Sequence, residues 1–244
     1  MGDMLMVTST LDSKNDNTSL RDEDKIIDIF SKKTVAERER EQFIRLSPEY
    51  DGLSMLYSNN NSSNYKLFTM KVLCWGIRLN GEVVGLVPWL NKLVPCTDLQ
   101  DTDYGNFEGY YDVANSDTFS EPPPYKVTEL NIASQFFSKK PKKKTEVLQE
   151  IPDNIGTHAM LYTPGSTNIV LTEVLSWQLL GDGTMRAMLI DELRVKSTPV
   201  LPGDPCLYPA DQNPSFRYFF QHHIANQIKD EDPEAISAIS LLLD

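Results

Sequence analysis

The sequence predicts an α+β fold, two β-rich halves with C-terminal helices packed on a sheet. Three observations carry that prediction. Two Trp-bearing β-hairpins lie 102 residues apart, each turning at an Asx-Gly pair. Two helix starts, Asn213-Pro214 and Asp232-Pro233, stand near the end of the chain. Between the halves runs a connector that is acidic first and lysine-rich afterwards.

Taken in order, residues 1–33 mix Ser, Asn, Asp, Lys and Thr with few rings, the composition of a disordered tail. Thr34 with Glu37 fits a capping box, and the charged run up to Phe43, Ile44 and Leu46 predicts a helix that Ser47-Pro48 stops. The first half spans 34–121. Its strongest signal is the pair of apolar runs Tyr65–Leu79 and Glu82–Leu90 around Asn80-Gly81. A two-residue type I′ turn there places Leu79 opposite Glu82, Ile77 opposite Val84, Trp75 opposite Leu86 and Gly76 opposite Gly85. Leu73, Trp75 and Ile77 then share one face. Phe68, Met70, Val72 and Cys74 make the other face apolar too, so the strand is expected to be covered on both sides.

Residues 122–150 form a connector: Pro122-Pro123-Pro124, a helix over Val127–Phe137, and five lysines within Lys139–Lys144. The second half, 151–244, repeats the hairpin. Val72, Leu73, Trp75 and Gly81 recur as Val174, Leu175, Trp177 and Gly183, and Asn80 is matched by Asp182. A tandem duplication would give this pattern. Any two hairpins that need an alternating Trp strand and an Asx-Gly turn would give it as well. Phe216, Phe220, Ile224 and Ile228 form a helical stripe, as do Ile236, Ile239 and Leu243, and these are the two helices expected to close the sheet.

Composition limits function. The chain has 244 residues, 40% of them hydrophobic, and a net charge of −12. Cys74, Cys96 and Cys206 are odd in number and lack CxxC spacing, which suits a reducing, cytoplasmic setting. No window approaches 18 uninterrupted apolar residues, so no membrane association is expected. Phosphate-loop, dinucleotide, nucleophile-elbow and zinc-helix spacings are absent, which leans the reading away from an enzyme and implies no cofactor and no metal. The paired His222-His223 and the distant cysteines lack the spacing of a ligand set.

The charge is local. Residues 97–121 hold seven carboxylates and no Lys or Arg, leaving −5 for the other 219 residues. Rings interleave with those carboxylates, and rings contribute large contact areas at interfaces. The expected function is a non-catalytic, cytoplasmic protein-interaction protein that binds a protein partner through Asp101, Asp103, Tyr104, Phe107, Glu108, Tyr110, Tyr111 and Asp112. A first alternative is a hydrolase-like or metal-dependent enzyme using carboxylates of the 98–112 loop. Asp101-x-Asp103-x-Gly105 up to Asp112 imitates a calcium loop poorly, with Gly one place early and Asp where a bidentate Glu belongs. A second alternative is RNA or ribosome association through Lys139–Lys144, the one stretch where nucleic acid could be met.

Overall fold

The computed structural model describes residues 42–59, 67–100, 105–134, 143–162, 169–191, 194–195, 200–201 and 203–221. Within them the chain is mostly β-sheet, in three sheets with one α-helix. This corrects the α+β expectation. Phe216–Gln221, expected to open a helix, is a strand paired with Thr157–Leu161. A run of four rings and an Arg in six residues suits a half-buried strand, and pairing overrides the i,i+4 spacing. The helix expected from Thr34 ends as a strand as well, Phe43–Pro48. The tail at 1–33, the start of that helix and the Asp232 helix lie outside the described residues.

The first half contains β1 (Phe43–Pro48), β2 (Leu53–Asn59), β3 (Leu67–Lys71), β4 (Cys74–Arg78), β5 (Val83–Trp89), β6 (Lys92–Pro95), a 3-10 turn (Cys96–Leu99), β7 (Gly105–Asp112) and β8 (Asp117–Phe119). They make two sheets, ordered β1-β4-β5-β6 and β3-β2-β7-β8. Helix α1 (Pro124–Ser134) follows, close to its expected place, and buries Leu130 in the first half's core. The second half, counted here from the start of β9, contains β9 (Val147–Pro152), β10 (Thr157–Tyr162), β11 (Ile169–Leu180), β12 (Met185–Ile190), β13 (Leu207–Pro209), a 3-10 turn (Ala210–Gln212) and β14 (Phe216–Gln221). Its strands run in the order β13-β12-β11-β10-β14, with β9 also on β11.

Both hairpins turn at the glycines expected, with a register one residue away from the one the turn type predicts. Gly81 takes φ 88° while Asn80 does not take a positive φ. The N–H of Arg78 bonds the carbonyl of Glu82 at 2.9 Å, so the loop has three residues and Trp75 faces Gly85 instead of Leu86. Asn80 Oδ1 accepts the Glu82 N–H at 2.9 Å, an Asx turn that keeps Asn80 out of the left-handed region. The second hairpin is built alike, with Gly183 at φ 82° and Asp182 Oδ1 accepting the Thr184 N–H at 3.0 Å. Its closing bond runs from Leu180 N–H to Thr184 carbonyl, 2.8 Å.

The likeness extends through both halves. After β1 and β9 comes a Pro-acid-x-x-Gly corner, Pro48 to Gly52 and Pro152 to Gly156, with φ 83° and 73° at the two glycines. The N–H of Glu49 bonds Leu73 carbonyl at 3.0 Å; that of Asp153 bonds Leu175 carbonyl at 2.9 Å. Each acid then accepts an indole N–H, Trp75 Nε1 to Glu49 Oε2 at 2.5 Å and Trp177 Nε1 to Asp153 Oδ2 at 3.0 Å. A buried Trp needs such a partner, so corner and core fix each other. Each Trp also meets a ring of the strand that follows the 3-10 turn, Tyr110 of β7 at 5.1 Å and Phe219 of β14 at 4.9 Å. Pro95 and Pro209 precede the two 3-10 turns.

The apolar faces explain how the halves meet. β3 and β4 are separated at Val72-Leu73, and this break shifts the alternation by one residue. Met70, Val72, Trp75 and Ile77 therefore share the first half's core, instead of the faces expected from an unbroken strand. Cys74 points the other way, and with Phe43, Leu46, Val84, Leu86 and Leu93 it joins a cluster containing Trp177, Leu179, Leu189 and Phe219 of the second half. β4 is thus covered on both faces, as the sequence suggests. Gly76 is required there, because a Cβ would lie 2.5 Å from the Phe43 ring and 3.0 Å from Leu86. Polar bonds align the contact. Gln149 Oε1 accepts Leu46 N–H at 2.9 Å, and Gln149 Nε2 donates to Leu46 carbonyl at 2.7 Å. Asn154 Nδ2 donates to the Glu49 carbonyl, and Phe219 N–H to Leu90 carbonyl at 2.6 Å.

Candidate functional site

The predicted acidic and aromatic segment is β7, the turn after it and β8. In this strand Phe107 and Tyr110 point inward and Glu108 outward; plain alternation would put Glu108 and Tyr110 on one face, and the register shift against β2 between Leu56 and Tyr57 sets them apart. Phe107 and Tyr110 are buried in the first half's core, their ring centroids 5.1 Å apart. Tyr110 Oη accepts the Gly85 N–H at 3.1 Å, and burial pushes its hydroxyl well above the usual range. Tyr111 is half-buried. Asp101, Asp103 and Tyr104 lie outside the described residues.

Glu108 is exposed on the outward face, where Oε1 accepts a hydrogen bond from Ser58 Oγ at 2.6 Å. Asp112 closes the turn into β8. Its Oδ1 accepts the Ala114 N–H at 2.9 Å and Oδ2 accepts Asn115 Nδ2 at 2.8 Å, and the Asn115 bonds hold its carboxyl below the usual range. Gly105 and Asp112 stand at opposite ends of one strand, roughly 23 Å apart at 3.3 Å per residue, so they cannot ligate a common ion. Among the described residues no group of three or more His, Cys, Asp or Glu is placed to hold a metal.

The remaining outward acids, Asp117 on β8 and Glu121 beyond it, are exposed. Lys126 on α1 is the neighbouring cation. It is engaged within the fold, 2.5 Å from Asp51 and 3.4 Å from Glu49. Burial works against its charge, but Asp51 and Glu49 outweigh that and raise its pKa overall. The cysteines are free and buried, and burial pushes the Cys74 and Cys96 thiols up, away from the reactive thiolate. His158 sits on β10, its Nδ1 3.1 Å from the Gly156 carbonyl oxygen. His222 and His223, and Lys139 to Lys142, lie outside the described residues; Lys143 and Lys144 are exposed.

Sequence reasoning missed a second feature. A cavity of about 680 Å³ opens in the second half, between β10, β11, β12 and the segment through β13 to Pro214. Its walls include Leu161, Thr172, Ile190, Asp191, Tyr208 and Asn213. The signal for it was present at the hairpin offset of 102 residues, which sets Trp89 against Asp191 and Met70 against Thr172. At these positions the second half has small side chains where the first half has large ones.

Comparison of the chain with protein-family models, with characterised proteins and with solved structures finds no match to any of them. No helix among the described residues is long and apolar enough to cross a membrane.

Proposed function

We propose that this is a non-catalytic cytoplasmic binding protein that meets a basic protein partner along the acidic edge formed by β7 and β8. One observation carries the reading: β7 and β8 bury Phe107 and Tyr110 while leaving Glu108, Asp117 and Glu121 exposed, with Asp112 alone among these acids buried, at the turn. No Lys or Arg interrupts residues 97–121, so those carboxylates share an uncompensated field that steers a cation-rich surface toward them. The rings serve as the rigid backing of this edge.

The test follows from that division of labour. Glu108→Gln with Asp117→Asn and Glu121→Gln leaves the buried rings in place and removes three charges. Capture of a basic partner should fall several-fold, and capture by the unaltered chain should weaken as salt is raised. Partner capture that survives both treatments would overturn the reading.

We also infer that the two halves descend from one unit by tandem duplication. The support is the shared set of Pro-acid-x-x-Gly corner, indole-to-carboxylate bond, three-residue Gly turn and 3-10 turn before the strand whose ring meets the Trp. Related sequences that keep this set in one half and lack it throughout the other would count against it.

A further inference from the structure

The cavity of the second half occupies the space that the first half fills with rings. In the first half, Tyr57 on β2 and Trp89 at the end of β5 pack with centroids 5.0 Å apart, beside Met70 and Leu99. Tyr57, Met70 and Leu99 are 5%, 5% and 4% exposed, so that space is closed. The strand registers identify the counterparts. Tyr57 pairs with Phe68 as Leu161 pairs with Val170, and Met55 pairs with Met70 as Ala159 pairs with Thr172. Trp89 corresponds to Asp191, and Leu99 to Asn213 at the end of the 3-10 turn. At each of the four positions the second half carries the smaller side chain. The opening of about 680 Å³ is their combined result, and it lies within the usual size of ligand sites, roughly 300–1,000 Å³.

We propose that this cavity binds an uncharged heteroaromatic small molecule, whose ring stands where the first half places Trp89 and Tyr57. Leu161 and Ile190 supply apolar walls for the faces of a ring. The two charged side chains of the lining, Asp191 and Arg194, pair with each other at 3.0 Å. A charged ligand would give up its water there without a counter-charge in return. Tyr208 Oη accepts from Asn213 Nδ2 at 3.1 Å, which fixes the phenol in the wall, and the Asp191 carboxylate, whose two oxygens can accept more than the Arg194 bond, can take the N–H of a ring such as indole's. The site is in the other half from the acidic edge and does not depend on it.

The probe is 5-fluoroindole, titrated into the full chain and followed by fluorine NMR. A saturable change below about 1 mM is expected. Leu161→Tyr with Asp191→Trp restores the first half's ring pair inside the cavity, and affinity should fall at least about tenfold. Thr172→Met narrows one wall only and should weaken binding less; it keeps the test open if the double variant fails to fold. Indole-3-acetate should bind more weakly than 5-fluoroindole. The proposal is overturned by the absence of saturable binding, by affinity unchanged in the folded variants, or by indole-3-acetate binding as tightly. Binding of a Gly-Trp-Gly amide without binding of 5-fluoroindole would overturn it too, by assigning the cavity to a protein chain.

Discussion

The two halves use the same frame and complete it differently. Both anchor a corner carboxylate to a Trp indole, turn the hairpin at a glycine of positive φ, and bring a ring of the strand after the 3-10 turn onto the Trp. The first half closes its core with its own side chains, among them Tyr57, Trp89, Leu99 and Leu130 of α1. The second half places Trp177, Leu179, Leu189 and Phe219 against Phe43, Leu46, Leu86 and Leu93, which are the outer face of the first half's sheet. The difference separates two layers of information. Turn and corner chemistry set where strands run, whereas the volume of the residues between them sets whether a core is closed, shared or left open as a cavity.

The largest effects should come from the two tryptophans. Trp75→Ala and Trp177→Ala each remove a fully buried indole, at a cost of about 3–5 kcal/mol. The comparison predicts that Trp75→Ala lowers the denaturant midpoint of the whole chain, because the second half depends on the first half's sheet. Trp177→Ala should leave the first half's own core closed and split the transition in two. A single, equal shift for both variants would remove the asymmetry.

The turn glycines should give an intermediate effect. Gly81→Ala meets nothing within 4 Å, so its cost is the positive φ alone, about 1 kcal/mol. Gly183→Ala has the same φ penalty, and its Cβ would in addition press on Gln42 and lie 3.1 Å from the backbone nitrogen of Phe43. That contact crosses the two halves, and the cost should rise to about 2–3 kcal/mol. Matched urea melts of the two variants measure the gap, and equal losses would mean that the contact carries no strain.

The smallest effect is electrostatic. The Asn115 bonds hold the Asp112 carboxyl below its usual value, so this group favours the folded state above the unfolded carboxylate range. That contribution disappears as pH falls through the lowered folded value. Asp112→Asn should therefore be less stable than the parent at neutral pH, and the difference should shrink in acid. A pH-independent difference would contradict the assignment.

Much of the frame is legible in the sequence. Asn80-Gly81 and Gly181-Asp182-Gly183 mark the turns, and apolar residues on both faces of Phe68–Ile77 mark a strand covered twice. Loop length is not legible, because Asn80 can take a positive φ or, as here, accept the Glu82 N–H with its side chain in an Asx turn and leave that role to Gly81. The break at Val72-Leu73 is equally hidden, since it comes from the corner at Glu49 bonding across to Leu73. Phe216 and Phe220 are four apart and fit a helix as well as a strand; only the pairing with β10 decides. The acidic segment is legible in composition, but the inward turn of Phe107 and Tyr110 follows from their register on β2. The cavity is written in the 102-residue offset, in pairs such as Trp89 and Asp191, and becomes readable once the two halves are laid on each other.

Amide hydrogen exchange on Trp177→Ala tests the dependence of one half on the other most directly. The account predicts that protection is lost across β10, β11, β12 and β14 while β2, β3 and β7 keep theirs, and that Trp75→Ala removes protection from both sets. Loss of protection in β2, β3 and β7 of Trp177→Ala to the same extent as in β10 to β14 would contradict it.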